Sequence, residues 1–441
     1  MGTEIENWLM DLDYEQWMPL QTSGPRPSSR YKHAAAVFDE KLYVVGGSRG
    51  GRYLSDFQVF DLRNLTWSTI KPKIQSDSKT TPVEVFPSVS GHSMIQWGVK
   101  LLLVAGLSSK NVTEKVTVRF IDLELHTTGT VETSGDIPVA RSGQSATLFG
   151  SKLVMFGGED RKRRLLNDVH VLDLETMTWK SVAATKNAPS PRYDHSATLH
   201  AERYLYIFGG CSHSVFFNDI HLLDLETMEW SLPQTQSNVV SPRAGHASVA
   251  IRGNWYIVGG GDNRSGLFST GASETLVIGM SKLVVSVLAT VKKGSPLASE
   301  GVSLSSAWIG GENVLIAFGG YNGKYYNEVF AMRLKKPMNC SKPKMVQSPA
   351  AAAAAASVSA AYALTEGGQI SNHRKDVSDE TVVLEEEKDV LRSSVAEAAA
   401  QTCALRAKLD GINENCAELS KVRVLDSDAT DLSLGSFDAN E

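Results

Sequence analysis

The sequence predicts an all-β fold, a six-bladed β-propeller, followed by an α-helical coiled coil. Three short motifs predict the propeller: an apolar strand ending in two glycines, an Asp-Leu pair with a Trp downstream, and an Arg three residues before a His. They recur in the same order at matched offsets, which indicates one small structural unit written several times. Leucines at steps of seven near the C-terminus predict the coil.

The diglycine strand is the strongest of the three motifs. It reads LYVVGG, LVMFGG, YLYIFGG, WYIVGG and VLIAFGG, with a degenerate copy LLLVAG, at successive steps of 59, 52, 52, 50 and 60 residues. Aromatic and β-branched residues favour a strand, and the glycines permit a left-handed turn or close packing where it ends. We expect a framework role for Gly46, Gly47, Gly157, Gly158, Gly209, Gly210, Gly259, Gly260, Gly319 and Gly320.

The Asp-Leu motif and its downstream Trp complete the repeated unit. They predict a third strand, a tight turn and a short fourth strand that carries Trp67, Trp179 or Trp230. With one strand before the diglycine strand, the unit is a four-stranded blade. One such sheet cannot bury both faces alone, but blades stacked around an axis can, so we interpret the tryptophans as packing between blades.

The two ends of the repeat region predict how the ring closes. The last copy stops at Pro337 without a Trp-bearing strand, whereas residues 14–20, YEQWMPL, supply one that has no diglycine strand before it. We therefore expect strand 14–20, with Trp17, to complete the last blade. The predicted domains are an N-terminal extension 1–13 and a propeller 14–336.

The Arg-and-His motif occurs as Arg30/His33, Arg192/His195 and Arg243/His246. These histidines are candidate ligands or bases, but repetition around a ring favours a structural role, since a catalytic base is needed once. The copies also differ: blade three has Gln144 after Arg141, and blade two has His126 near the position of its Trp.

The sequence after the propeller changes character. Residues 337–375 form an Ala-rich linker, residues 376–424 carry the heptads, and residues 425–441 are an acidic tail. Self-association as a homodimer, or pairing with another helix, is expected through residues 384–419. The predicted core consists of Leu384, Leu391, Val395, Ala398, Leu405, Leu409, Ile412 and Leu419.

Composition narrows the function classes. A net charge of −5 gives no nucleic-acid footprint, and four scattered cysteines without a CxxC motif favour reduced thiols in the cytosol or nucleus. No 18-residue apolar run and no signal peptide are seen, so we expect no membrane span. P-loop, GxSxG and HExxH motifs do not occur, and we expect no cofactor and no enzyme activity.

The loops between blade strands are the expected location of function, because they vary between copies. The densest basic cluster is Arg161, Lys162, Arg163 and Arg164. One interpretation is a solvated turn beside Glu159 and Asp160; the other is a docking point for an anionic partner.

Repeats of about 50 residues with this diglycine motif resemble kelch repeats. The stretch SGPRPSSRYKHAAAVFDEKLYVVGG, followed by an acidic coil, resembles the kelch part of plant acyl-CoA-binding kelch proteins. That resemblance implies an interaction scaffold or adaptor that binds protein partners through its loops. Only 13 residues precede the propeller here, so we expect no acyl-CoA-binding module in this sequence.

Two alternative functions remain open on the resemblance. One is a small-molecule binder related to acyl-CoA or lipid, and the other is a metal-dependent enzyme of the plant specifier type. A copper oxidase of the galactose oxidase type would need a Tyr–Cys cross-link and His ligands. The one cysteine in the propeller, Cys211, lies in a loop, so we do not expect this class of enzyme.

Overall fold

A computed structural model describes residues 7–74, 88–108, 113–235, 240–261 and 272–335. They form a six-bladed propeller of antiparallel four-stranded sheets, as the repeats predicted. The predicted linker, coiled coil and acidic tail lie outside the described residues, and their interpretation stays a prediction. Within the described ranges, no helix is long and apolar enough to cross a membrane.

Each blade runs from an inner first strand to an outer fourth strand. Blades 1 to 3 consist of Ala34–Phe38, Lys41–Val45, Phe57–Asp61 and Thr66–Ile70; Ser93–Trp97, Lys100–Val104, Val118–Asp122 and Thr127–Val131; and Ser145–Phe149, Lys152–Asp160, Leu165–Asp173 and Thr178–Val182. Blades 4 to 6 consist of Ser196–His200, Tyr204–Phe208, Ile220–Asp224 and Glu229–Ser231; Ala244–Ile251, Asn254–Gly261, Glu274–Gly279 and Val284–Thr290; and Ser303–Ile309, Glu312–Phe318, Val329–Arg333 and Met18–Pro19.

Short additional strands extend this framework. In blades 2, 3 and 4 a segment from the preceding linker pairs in parallel with the fourth strand and covers its free edge. These segments are Lys73–Ile74, Ser134–Gly135 and Thr185–Lys186. The remaining short strands are Ser48–Arg49 with Arg52–Tyr53, Val89–Ser90 with Leu107–Ser108, Cys211–Ser212 with Val215–Phe216, and Arg141–Ser142 beside the second strand of blade 3.

The core lies between the blades, because each sheet buries both faces against its neighbours. Trp67 in the fourth strand of blade 1 lies 5.0 Å, centroid to centroid, from Phe318 of blade 6. Trp230 of blade 4 lies 5.2 Å from Phe156 of blade 3 in the same manner. Trp179 is equally enclosed, so all three predicted tryptophans are packed rather than free to bind a ligand.

The ring closes where the N-terminal segment joins blade 6. Met18 and Pro19 pair with Ala331 and Phe330, so residues from the start of the chain supply the fourth strand of the last blade. The adjacent Trp17 is half-buried, and its Nε1 donates a hydrogen bond to Thr275 Oγ1 of blade 5 at 2.8 Å.

A short helix, Asn7–Met10, continues this closure beyond the strand. Leu9 and Leu12 are buried in the cluster shared by blades 6 and 1. Trp8 Nε1 donates to the carbonyl of Leu62 at 2.9 Å. The N-terminal segment therefore contacts both blades at the seam.

Candidate functional site

A buried arginine enters four of the blades and neutralises an acidic side chain there. Arg192 donates from Nη1 to the Gly209 carbonyl at 3.0 Å and forms a bidentate pair with Asp219 at 2.6 and 2.9 Å. Arg192 lowers the pKa of the Asp219 carboxyl, although burial of that group acts in the opposite direction. The equivalent pairs are Arg30 with Asp56, Arg141 with Asp168, and Arg243 with Glu274. These arginines hold the diglycine carbonyl in place and are framework residues.

The histidine of the same motif links each blade to the one before it. His195 Nε2 lies 3.0 Å from Ser145 Oγ, and its ring lies edge-on to Phe156. His33 meets Ser303 in the same way, and His246 meets Ser196. Burial, reinforced by Arg192, lowers the pKa of His195 to about 3. A neutral imidazole locked between two sheets serves packing, as the repetition of the motif suggested.

Six residues, one immediately before each of these histidines or its counterpart, form a closed ring around the propeller axis. The amide of each ring residue donates to the carbonyl of the ring residue in the preceding blade, at 2.7 to 3.1 Å, and the sixth bond closes the circle. We call them the ring residues: Lys32, Gly91, Gly143, Asp194, Gly245 and Gly301. All six have positive φ, from 52° to 67°, a conformation that favours glycine.

Two of the ring residues are not glycine, and they are bonded to each other. Lys32 in blade 1 and Asp194 in blade 4 stand on opposite sides of the ring, and their Nζ and Oδ2 atoms lie 2.6 Å apart. Burial would lower the pKa of Lys32, yet Asp194 outweighs it and raises that pKa above its ordinary value. Non-glycine residues in left-handed conformation cost of order 1–3 kcal/mol each and concentrate at functional sites.

This ion pair lies at the mouth of a central cavity of about 160 Å³. The wall below it is formed by the histidine position of each blade. In blade 3, Gln144 keeps the contact with the preceding blade, because its Nε2 donates to Ser93 Oγ at 3.3 Å, whereas His92 in blade 2 has no such contact among the described residues. Both ring nitrogens of His92 and the Oε1 of Gln144 are buried without a hydrogen-bond partner. Polar side chains thus line the cavity in blades 1 to 5, and Val302 lines it in blade 6.

The predicted basic cluster lies on the loop that follows the diglycine of blade 3, on the same face as the channel mouth. All four side chains are exposed. Arg164 pairs with Asp160 at 2.6 Å and Arg163 with Glu159 at 3.4 Å, so the loop partly neutralises itself. Arg161 donates to the Ser108 carbonyl of blade 2 at 3.2 Å. Its partner-binding role stays a prediction.

The described residues do not form a metal-binding site. Across the part of the chain that the structure describes, no three His, Cys, Asp or Glu side chains come together in a group that could hold a metal ion. Cys211 is buried beside Tyr193, and burial raises the pKa of its thiol to about 11. A protonated thiol in that setting is unreactive.

Sequence reasoning located the framework but missed Lys32 and Asp194. The available signal was the position before the histidine, which is glycine in four copies and charged in two. Aligning the six copies at the histidine would have shown opposite charges in blades 1 and 4.

A closed ring of six four-stranded blades, with a diglycine ending the second strand, defines a kelch-type propeller. The family model described as "KLHDC2/KLHL20/DRC7 Kelch-repeats domain" matches residues 5–84 and 91–304, so the chain belongs to the kelch-repeat family.

Among curated relatives, the chain is 50% identical over 340 residues to acyl-CoA-binding domain-containing protein 4 of Arabidopsis thaliana, covering 76% of this chain and 49% of the relative. It is 44% identical over 413 residues to protein 5 of the same series and organism, covering 92% and 62%. Human Kelch domain-containing protein 3 is 29% identical over 261 residues, covering 56% and 66%. The predicted resemblance to the acyl-CoA-binding kelch proteins is confirmed, and the chain spans about half to three fifths of those two plant relatives.

Proposed function

We propose that this chain is a non-catalytic interaction scaffold that binds a protein partner on the face around the channel mouth. The observation that supports this proposal is the position of two charged residues that the other blades do not share. The repeated Arg, His and Trp side chains hold the blades together, whereas Lys32 and Asp194 lie at the propeller axis, on the face with the channel mouth. Kelch propellers typically mediate protein–protein contacts, which supports this assignment.

The loops after the diglycines surround that mouth on the same face. They touch one another across blades: Arg161 donates to Ser108, and Arg163 Nη2 lies 3.4 Å from His213 Nδ1. A partner would therefore meet a connected rim rather than separate hairpins. Such a rim suits a large surface better than a small ligand.

The proposal is tested by comparing the mouth face with surface positions away from it. Arg161→Ala with Lys162→Ala removes two positive charges from the mouth face. Lys180→Ala with Lys282→Ala, an exposed pair away from the mouth, is the matched control. Quantitative affinity purification should show a partner lost by the first variant and kept by the second. Equal recovery by both variants would remove the basic loop from the proposal.

We further propose that the chain self-associates through the heptads of residues 384–419. This rests on the sequence pattern alone, since these residues lie outside the described ranges. Pairing two propellers would raise the effective concentration of the second face for a multivalent partner. Leu391→Glu, Leu405→Glu and Leu409→Glu together should yield a monomer by light scattering. A wild-type chain that is already monomeric at working concentration would refute the homodimer.

Acyl-CoA binding is a second candidate, because the plant relatives are named for it. The central cavity of about 160 Å³ is smaller than the roughly 300 to 1,000 Å³ of pockets that enclose drug-sized ligands. We therefore expect no saturation when the chain is titrated with a long-chain acyl-CoA at micromolar concentration. Stoichiometric saturation in calorimetry would establish the second candidate instead.

A further inference from the structure

The channel mouth already contains one cation held between a carboxylate and an aromatic ring, and that cation belongs to the chain itself. Lys32 Nζ lies 2.6 Å from Asp194 and 5.9 Å from the centroid of the Tyr193 ring. A cation near an aromatic face and beside a carboxylate is stabilised by both. The arrangement is a filled example of a cation site.

Another part of the same mouth carries the same two kinds of groups without the cation. Tyr31, Tyr321 and Tyr325 form a triangle with ring centroids 4.6 to 5.7 Å apart. Glu300 and Tyr321 are paired through their backbones, with Glu300 N to Tyr321 O at 3.0 Å and the reverse bond at 2.9 Å. Residues directly opposite in an antiparallel pair project to the same side, so the carboxylate and this ring share one side of the pair.

The Glu300 carboxylate feels the charge of Lys32 but is not in direct contact with a cation among the described residues. It forms no hydrogen bond or ion pair with any side chain among residues 7–74, 88–108, 113–235, 240–261 and 272–335. Burial raises the pKa of this carboxyl, and Asp194 adds to that rise while Lys32 opposes it. The adjacent Lys324 does not serve it, because its Nζ lies over Tyr326 at 5.6 Å. An acidic group that is partly withdrawn from water without a partner favours any cation that can reach it.

We propose that Glu300, Tyr31 and Tyr321 form a binding site for a cationic side chain, an arginine, lysine or methylated lysine, of the partner protein. The proposal rests on the function proposed above and names the partner chemistry for the mouth face. Lys32 balances Asp194, so the ionised Glu300 carboxylate is the charge that a single cation would balance. Glu300, Tyr31 and Tyr321 are each partly exposed, so a side chain presented on a protein surface can reach them without the partner unfolding.

Fluorescence anisotropy with the full chain tests this site directly. The probes are dye-labelled degenerate peptides whose central residue is fixed as arginine, lysine, trimethyllysine, citrulline or norleucine. The three cationic peptides should bind about tenfold more tightly than the two neutral ones, with affinity falling as salt is added. Equal binding of the arginine and citrulline peptides, or no binding by any cationic peptide, would overturn the proposal.

Two variants locate the effect. Glu300→Gln keeps the shape of the side chain and should abolish the preference for cationic peptides, and Tyr321→Leu should weaken it. Glu175→Gln, an exposed turn residue of blade 3, removes the same charge elsewhere and should change nothing. Thermal melting of each variant verifies folding, and a folded Glu300→Gln protein that keeps the preference would refute the assignment.

The outcome also separates this inference from the function on which it depends. A protein partner whose binding is lost with the basic-loop variant but unaffected by Glu300→Gln would leave the scaffold in place and remove the cation site. If no protein partner is retained by the wild-type chain, the scaffold itself fails. Cationic peptides that bind in that case would mark the mouth as a small-ligand site.

Discussion

The four histidines enclosed between blades should make the propeller markedly less stable in mild acid. Burial lowers the pKa of His33 and His195 to about 3 and of His92 to about 4, and it lowers that of His246 well below the ordinary value. Their unfolded pKa is about 6.5, so below that pH the unfolded chain binds protons that the folded chain refuses. Stability is therefore complete above pH 6.5 and is lost as pH falls toward the folded pKa values.

The size of this loss follows from the proton binding of the unfolded chain. Going from pH 7.5 to 5.5 costs slightly more than roughly 1 kcal/mol for each histidine that stays neutral when folded, and roughly 5 kcal/mol for all four. That approaches the whole free energy of unfolding of many domains, about 5–15 kcal/mol. His195→Gln isolates one of these contributions, since Gln144 shows that an amide fits the same position in blade 3.

Urea denaturation followed by tryptophan fluorescence at both pH values measures the effect. The variant will be less stable at pH 7.5, because it loses the packing of the imidazole ring, but its loss of stability between the two pH values should be smaller than that of wild type by roughly 1 kcal/mol. His200→Gln, at the half-buried far end of the strand that follows His195, is the control and should leave the difference unchanged. An identical pH-dependent loss for wild type and His195→Gln would show that the ring is protonated in the folded state.

Three further perturbations test the framework. Deleting residues 1–22 removes the closing strand and three leucines whose burial contributes about 1.5–3 kcal/mol each, so the melting temperature should fall by at least about 10 °C, and an unchanged melting curve would refute the closure. Gly301→Ala would place a Cβ 2.6 Å from the backbone nitrogen of Lys32. Calorimetry should therefore show a larger loss of thermal stability than for Gly150→Ala, which also has positive φ but has open space around the new methyl group. Arg192→Met leaves Asp219 with His221 Nε2, at 3.0 Å, as its remaining partner among the described side chains. It should cost about 2–3 kcal/mol in urea denaturation, below the value for full burial because that carboxylate is 30% exposed; a cost under about 0.5 kcal/mol would show the pair to be dispensable.

The propeller was predictable because the same motif occurs six times, so each copy supports the interpretation of the others. Six diglycine strands at similar spacing fix the number of blades, and the missing Trp strand after Phe318 points to residues near Trp17. The interpretation of the arginines and histidines as framework agrees with their contacts, in which the histidines pair with serine hydroxyls of the preceding blade. Local pattern sufficed where every copy does the same physical task.

The mouth could not be predicted in the same way. Lys32 and Asp194 are far apart in the sequence, and only the closed ring brings them to 2.6 Å. Glu300 lies just before the first strand of blade 6, where the Arg-and-His motif is missing. No sequence motif therefore marks its position. Sites of this kind arise from differences between copies, which a search for similarity passes over.

The ring of six backbone hydrogen bonds has a consequence for how any partner can sit on this propeller. Four glycine positions are interchangeable, and a surface built on them alone would present nearly the same appearance after each rotation of one blade. Lys32 and Asp194 break that equivalence, because the line from one to the other crosses the axis with opposite charges at its ends. A docked molecule that carries complementary charges would be held at one angle out of six. The ion pair thus fixes the orientation of a bound partner about the axis of a nearly symmetric propeller.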